Sequence, residues 1–392
     1  MILLVILQES LPLQNPTDGW RANYGVWIRA ALVSGIVAHS VVVQAKYQIE
    51  DVNLSPRQLA LLFACVTMGY TAASIAIAAF VVFPIPFMTI TMTPIFFLLL
   101  VGSFCAIVGE RVFRDILAHR LQLHRFFMGV SVQTLMSLIY PVYQVLFNAA
   151  VDTSYELPAI LLLPVIKLIM KNLAYLSMTH LEDMVPENIV FTVEFFNAMY
   201  LATSMQRASS TITVATIMAI DFTQAGMALY GAETVATHSE ILGETLATLF
   251  TSECIVLTEY LESVIPIFYA SFMLIMVHLP SAQYHTELAG ITPETVSSTV
   301  QAVFLYALLE FVSFAVLAVL TRRMCGLRAL YHLAFVLETQ MPLIQFKMLG
   351  WMLLTLAYRV EHFGTCAYPK TWRFENPLTL WLSQMSRRLQ CK

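Results

Sequence analysis

The chain has 392 residues, of which 58% are hydrophobic and only 12% charged, with a formal net charge of -4. Soluble domains carry about 25% charged residues, so this composition, with a mean hydropathy of +0.73, excludes a soluble globular protein. No block of like charge stands alone, which excludes a nucleic-acid footprint as well.

At about 20 residues per crossing the length fits roughly ten spans. The predicted fold is therefore all-α: a polytopic integral membrane helical bundle of roughly nine to eleven transmembrane helices. It forms one membrane domain over residues 1–363, followed by a basic amphipathic tail over residues 364–392. The first residues, MILLVILQ, have a short apolar run with no basic residue before it and no small-residue cleavage site after it. The first internal span is expected to act as the targeting signal instead. That span, Tyr24 to Val43, is interrupted by Arg29 and His39, while Trp20, Tyr24 and Trp27 supply an interfacial anchor. Gln58 to Phe83 follows, and the turn Phe83-Pro84-Ile85-Pro86 returns the chain into Thr89 to Gly109.

The segment Glu110 to Arg125 places Arg111, Arg114, Arg120 and Arg125 around a leucine and phenylalanine stripe. This pattern predicts a helix lying on the cytoplasmic membrane surface, in contact with anionic lipid. Phe126 to Phe147 then crosses outward with a kink expected at Pro141, and Leu157 to Thr179 returns carrying Pro164, Lys167 and Lys171. Three acid-bearing spans come next: Ile189 to Met205 with Glu194, Thr211 to Tyr230 with Asp221, and Leu246 to Leu279, which Pro266 divides. Ser298 to Thr321 carries Glu310. With these spans alternating, Lys46, Arg57, Arg111, Arg114, Arg120, Arg125, Arg322, Arg323 and Arg328 fall on one side, and only Arg21 and Arg207 on the other. The first group is then cytoplasmic by the positive-inside rule.

Ala329 to Phe363 is broken by Glu338, Gln340, Pro342, Gln345 and Lys347. In the tail, Asn376-Pro377 starts a helix with Leu378, Trp381, Leu382, Met385 and Leu389 on one face and Arg387 and Arg388 opposite. Such a helix suits anionic lipid at about 1 kcal/mol per basic residue, which favours a cytoplasmic C-terminus. The stretch before it must then enter the membrane twice or fold back.

Four blocks of the second half carry a family likeness: FFNAMY from Phe195, MAIDFTQA from Met218, the segment Leu249 to Pro280, and Ala329 to Gly364. Over roughly residues 190–364 the chain resembles a lineage-expanded family of multi-pass transmembrane proteins of oomycetes. The resemblance implies multi-pass insertion and leaves substrate and mechanism open. Here the polar segment before Leu249 is short and lightly charged, which weakens any inference of a shared interaction through that loop.

The chemistry-bearing residues are the charges at membrane depth. A charged residue at the bilayer centre costs at least about 2.5 kcal/mol, so Glu310, thirteenth in its apolar run, is expected to face protein or a wet cavity. Lys167 and Lys171 are four apart and share a helix face; they are expected to neutralise two of Glu310, Asp221 and Glu194. These five residues are the candidate intramembrane polar pathway. Glu253, Glu259 and Glu262 form a second acidic set, either a cation-attracting vestibule or the solvated start of a helix.

Six cysteines (Cys65, Cys105, Cys254, Cys325, Cys366 and Cys391) show no metal-ligand or redox spacing, and no catalytic signature occurs. Neither enzyme activity nor a cofactor nor a metal is expected. The reading that follows is an integral protein of the plasma membrane or an endomembrane that moves a small solute or ion through a charged interior. The alternatives are a scaffold or sensor whose buried ion pairs only hold the bundle together, and an oligomeric ion channel.

Overall fold

The structure is a computed structural model that describes residues 2–49, 52, 54–178, 185–208, 243–324 and 328–363, with residues 216, 219 and 223 as isolated helical positions. The predicted span 211–230, Asp221 within it and the tail 364–392 with Arg387 and Arg388 thus lie outside the described residues. Among these, regular structure is helical throughout, as the all-α prediction requires, and the only extended pairing is a single bridge between His285 and Val360.

The N-terminal third is built from α1 (Ile2–Glu9), α2 (Tyr24–Gln48), α3 (Pro56–Phe80), the single turn α4 (Met88–Thr91) and α5 (Thr93–Val108). Ser55 caps α3 with a reciprocal bond to Gln58, and Pro56 occupies its first turn, where no N–H is needed. On α3 the buried positions Leu62, Val66, Tyr70, Ser74 and Ala78 recur every fourth residue, while Leu61, Phe63 and Met68 are exposed. That is one stripe against protein and the remainder against lipid. Gly25 lets α2 start against the chain at Pro12, because a Cβ there would lie 2.2 Å from the Pro12 carbonyl oxygen.

Next come α6 (Glu110–Ala118), α7 (Arg120–Ala150), α8 (Glu156–Met178) and α9 (Val185–Arg207). The expected surface helix Glu110 to Arg125 is shorter than predicted: it ends at Ala118, and Arg120 already opens α7. Pro141 sits inside α7 without ending it. The chain continues as α10 (Gly243–Met276), two 3-10 turns within Pro280–Leu288, then α11 (Val296–Met324), α12 (Ala329–Thr339) and α13 (Met341–Ala357). Among the described residues, six helices are long and apolar enough to cross a membrane: α2, α3, α7, α8, α10 and α11. The protein is thus a multi-pass α-helical bundle.

The helix at the centre is α9. Every side chain from Val190 to Met205 is buried, and α7, α8, α10, α11 and α13 pack around it. Its polar residues Thr192, Glu194, Asn197, Thr203 and Ser204 are scattered round the helix, so no face of it suits lipid. Aromatic packing tightens this centre: Tyr140 lies 5.4 Å from both Phe196 and Tyr200, and Phe196 lies 5.0 Å from Trp351. Each such pair contributes about 0.5–1.5 kcal/mol beyond its area. In lipid, where apolar side chains gain little by leaving the solvent, close packing of this kind holds helices together.

The broken stretch Ala329 to Phe363 forms α12 and α13, divided at Gln340. Its far end packs on the connection that follows α10: the amide of Thr286 donates to the Arg359 carbonyl at 3.0 Å, and His362 donates to the Gln14 carbonyl at 2.6 Å. Phe363 therefore sits at the opposite end of the bundle from Met324, so the stretch traverses the bundle once. The second entry needed for a cytoplasmic C-terminus does not occur within the described residues. Pro342, in the first turn of α13, lets the second helix start directly after the first.

Candidate functional site

Lys167 and Lys171 of α8 and Glu262 of α10 gather with Glu194 of α9. Lys167 Nζ on α8 lies 2.8 Å from Glu194 Oε2 on α9 and 2.7 Å from Glu262 Oε1 on α10. Lys171, one turn along α8, reaches Glu194 Oε1 at 3.6 Å. The Lys167 side chain is 12% exposed and that of Lys171 49%, so the cluster runs from the interior to the flank of α8. Two carboxylates meet two ammonium groups, which removes the need for any of them to be neutral at this depth.

Glu194 takes both lysines, as expected, and Glu262, which the sequence places in the separate acidic set, also pairs with Lys167. Glu259 and Glu262 are buried and Glu253 is half-buried, so the first two are not at a solvated helix start. The reason is the neighbour: α10 packs along both α9 and α11, and Glu259 and Glu262 fall well inside that contact. Glu310 is 8% exposed on α11, whereas Leu308, Leu309, Phe311 and Val312 around it are exposed. Its carboxylate is turned to protein rather than lipid, as its cost in hydrocarbon demands.

Two further charge clusters lie toward the end of the bundle where α1 and α13 finish, and the sequence reading missed both. In the first, Glu9 pairs with Arg29 of α2 and accepts from His285 Nε2 at 3.0 Å, while the Ser281 hydroxyl donates to the Glu9 carbonyl. Burial by itself would raise the Glu9 carboxyl, but His285 and then Arg29 hold it below the usual carboxylate range. In the second, Glu287 accepts from Arg359 Nη1 and, at 3.1 Å, from the Tyr269 hydroxyl. Arg359 Nη2 donates to Thr203 Oγ1 at 3.0 Å, and its guanidinium lies over the rings of Tyr200 and Tyr269. One signal for the first cluster was available: Arg29 interrupts an apolar run and requires an acid, and the only acids before it are Glu9 and Asp18. For the second, nothing local in the sequence joins Glu287 to Arg359, 72 residues away.

A small cavity of about 80 Å³ reaches the second cluster, lined by Pro141, Gln144, Tyr200, Glu287, Tyr358 and Arg359 among others. These features define a multi-pass helical membrane protein with an interior ion-pair network and a charged network at one end. No protein-family model, curated protein or solved structure matches the chain.

Proposed function

We propose that the protein moves a small solute or ion across its membrane through the interior around α9, with the Lys167, Glu194 and Glu262 cluster as its working element. The observation that carries this reading is the sharing of one nearly enclosed ammonium by two carboxylates on different helices. Protonating either carboxylate leaves Lys167 paired with the other, so two charge states are open without a bare charge in a low dielectric. Lys171 extends the cluster to the flank of α8. Tyr140, which feels both Glu194 and Lys167, keeps a buried hydroxyl with no hydrogen-bond partner, so the interior has unused polar capacity for a solute.

The test uses the proton as probe. Wild type, Glu194→Gln and Lys167→Met are reconstituted in vesicles with an entrapped pH-sensitive dye, and a potassium gradient with valinomycin sets the potential. The reading expects dye response in the wild type and at least a tenfold slower response in both variants. No response above empty vesicles in the wild type would sink it.

A second reading has its own support, because Lys167, Lys171, Glu194 and Glu262 each have an oppositely charged partner. A complete set of this kind is what a scaffold or sensor needs to fix its helices. It expects no flux in any variant, the wild type included.

A further inference from the structure

Between α2, α3, α5, α7 and α13 the bundle holds a cavity of about 100 Å³. A second cavity of about 150 Å³ lies beside it, under α6 and the start of α7, and its lining among the described residues is apolar. The two share Val41, Phe97 and Val130 as lining residues, so they adjoin along these three side chains and form the two arms of the candidate site. One arm has polar groups and the other has none.

The polar arm has a specific deficit. Gln133 is 6% exposed, yet its Nε2 has no hydrogen-bond partner, and the indole Nε1 of Trp351 has none either. An unpaired donor in such a place costs about 1–3 kcal/mol, and both of these groups line the same arm. The hydroxyls of Ser34, Thr93, Thr134 and Ser137 also line it, but each already donates to a backbone carbonyl three or four residues earlier. Their oxygens remain able to accept. An occupant must therefore accept from Gln133 and Trp351 and can donate one proton to a serine or threonine oxygen. A hydroxyl group does both.

Among the described residues, neither arm has an Asp, Glu, Lys, Arg or His in its lining. A carboxylate, phosphate or ammonium head would enter an apolar site with no counter-charge, which is prohibitively costly. Water alone would satisfy the donors but leave the apolar arm empty, and that arm is larger than a water molecule requires.

We propose that this space binds a neutral lipid alcohol, with its hydroxyl on Gln133 and Trp351 and its hydrocarbon body in the arm beneath α6. The site is separate from the Lys167 cluster and stands or falls independently of any transport. Recognition follows the pattern of most small-molecule sites, a mainly apolar wall with a few convergent polar groups that fix the orientation of the ligand.

The experiment uses the full chain in phosphatidylcholine vesicles and two photoreactive probes that keep a free hydroxyl, a diazirine sterol and a diazirine hexadecanol. The expected result is labelling by at least one probe, mapped to residues of α5 or the start of α7. Excess unlabelled alcohol competes, and the matching carboxylic acid does not. Gln133→Leu should weaken labelling at least tenfold while leaving the melting temperature in detergent unchanged or higher, because it deletes a donor that lacks a partner. Ala45→Phe, which fills the apolar arm, should weaken labelling without touching the polar groups. Absent labelling, competition by the carboxylic acid as strong as by the alcohol, or labelling indifferent to both variants would overturn the proposal. A fall in melting temperature for Gln133→Leu with labelling retained would assign that residue to packing and overturn it equally.

Discussion

Lys167 and Lys171 are the same residue type, one turn apart on one helix, yet their surroundings make them unequal. Lys167 is nearly enclosed and holds two carboxylates at hydrogen-bonding distance; Lys171 is half-exposed and holds one at 3.6 Å. Removing the first takes an ammonium from both Glu194 and Glu262, whereas removing the second takes only the longer contact from Glu194. Loss of one partner from a buried pair costs about 3–5 kcal/mol, whereas an exposed partner contributes about 0–1 kcal/mol. Lys167→Met is thus expected to lower the melting temperature in detergent sharply, and Lys171→Met scarcely at all. Equal losses in the two variants would show that burial does not set the strength of this cluster. The sequence made the lysines visible as charges at membrane depth and gave Glu194 as a partner. It could not give Glu262, because the choice between Glu262, Asp221 and Glu310 depends on which helices neighbour α8, and that is decided by packing far away in the chain.

Among the elements, the long apolar helices were the legible part. The ends predicted for the spans that became α3, α8 and α11 lie within a few residues of those observed, since a lipid-facing helix must be apolar over most of its surface and leaves an unambiguous run. The N-terminal segment was opaque for the opposite reason. Helix α1 is too short to cross, and its value lies in a single buried carboxylate. That segment is tied to the far end of the chain through His362, whose ring donates to Gln14. Burial pushes His362 down to about 4 from its ordinary 6.5, against the support of the Gln14 carbonyl and with the help of the charges on Arg29 and His285. A histidine with a depressed folded-state pKa stays neutral in the bundle while the unfolded chain takes up a proton. Its contribution is therefore whole above pH 6.5, fades as the pH falls toward 4, and is gone below that. The melting temperature in detergent should drop through this window, with a slope of at most about 1.4 kcal/mol per pH unit from this group. His362→Gln, which keeps an N–H for Gln14 but cannot titrate, should flatten that part of the profile. A profile with the same slope in both proteins would remove His362 from the pH response.

Across the whole molecule, the two ends of the bundle differ in what holds them. One end gathers the connections after α7 and α10, the start of α2 and the residues after α13, joined by Tyr143 with Ser204, Arg207 with Thr286, and Arg359 with Glu287. The other end has the loop from α2 to α3, and helix α6, where the arginines accumulate in the sequence. The charge asymmetry and the packing thus agree on which connections lie together, and the positive-inside rule predicts that the arginine-rich end is cytoplasmic. Where they part is the C-terminus. The amphipathic tail argues for the cytoplasmic side, while Arg359 and His362 are fixed at the opposite end. Single cysteines, introduced after the native ones are replaced, resolve this with a membrane-impermeant maleimide on intact cells. Ser154→Cys, Glu294→Cys and Glu361→Cys should all label from outside, and Arg57→Cys only after permeabilisation. If position 361 labels with position 57, the contacts of Arg359 with Glu287 and of His362 with Gln14 cannot exist in the membrane. If it labels with 154 and 294, a basic tail on the cytoplasmic face requires a further crossing after residue 363, and the tail's lipid contact must otherwise be sought on the outer leaflet, where anionic lipid offers it far less.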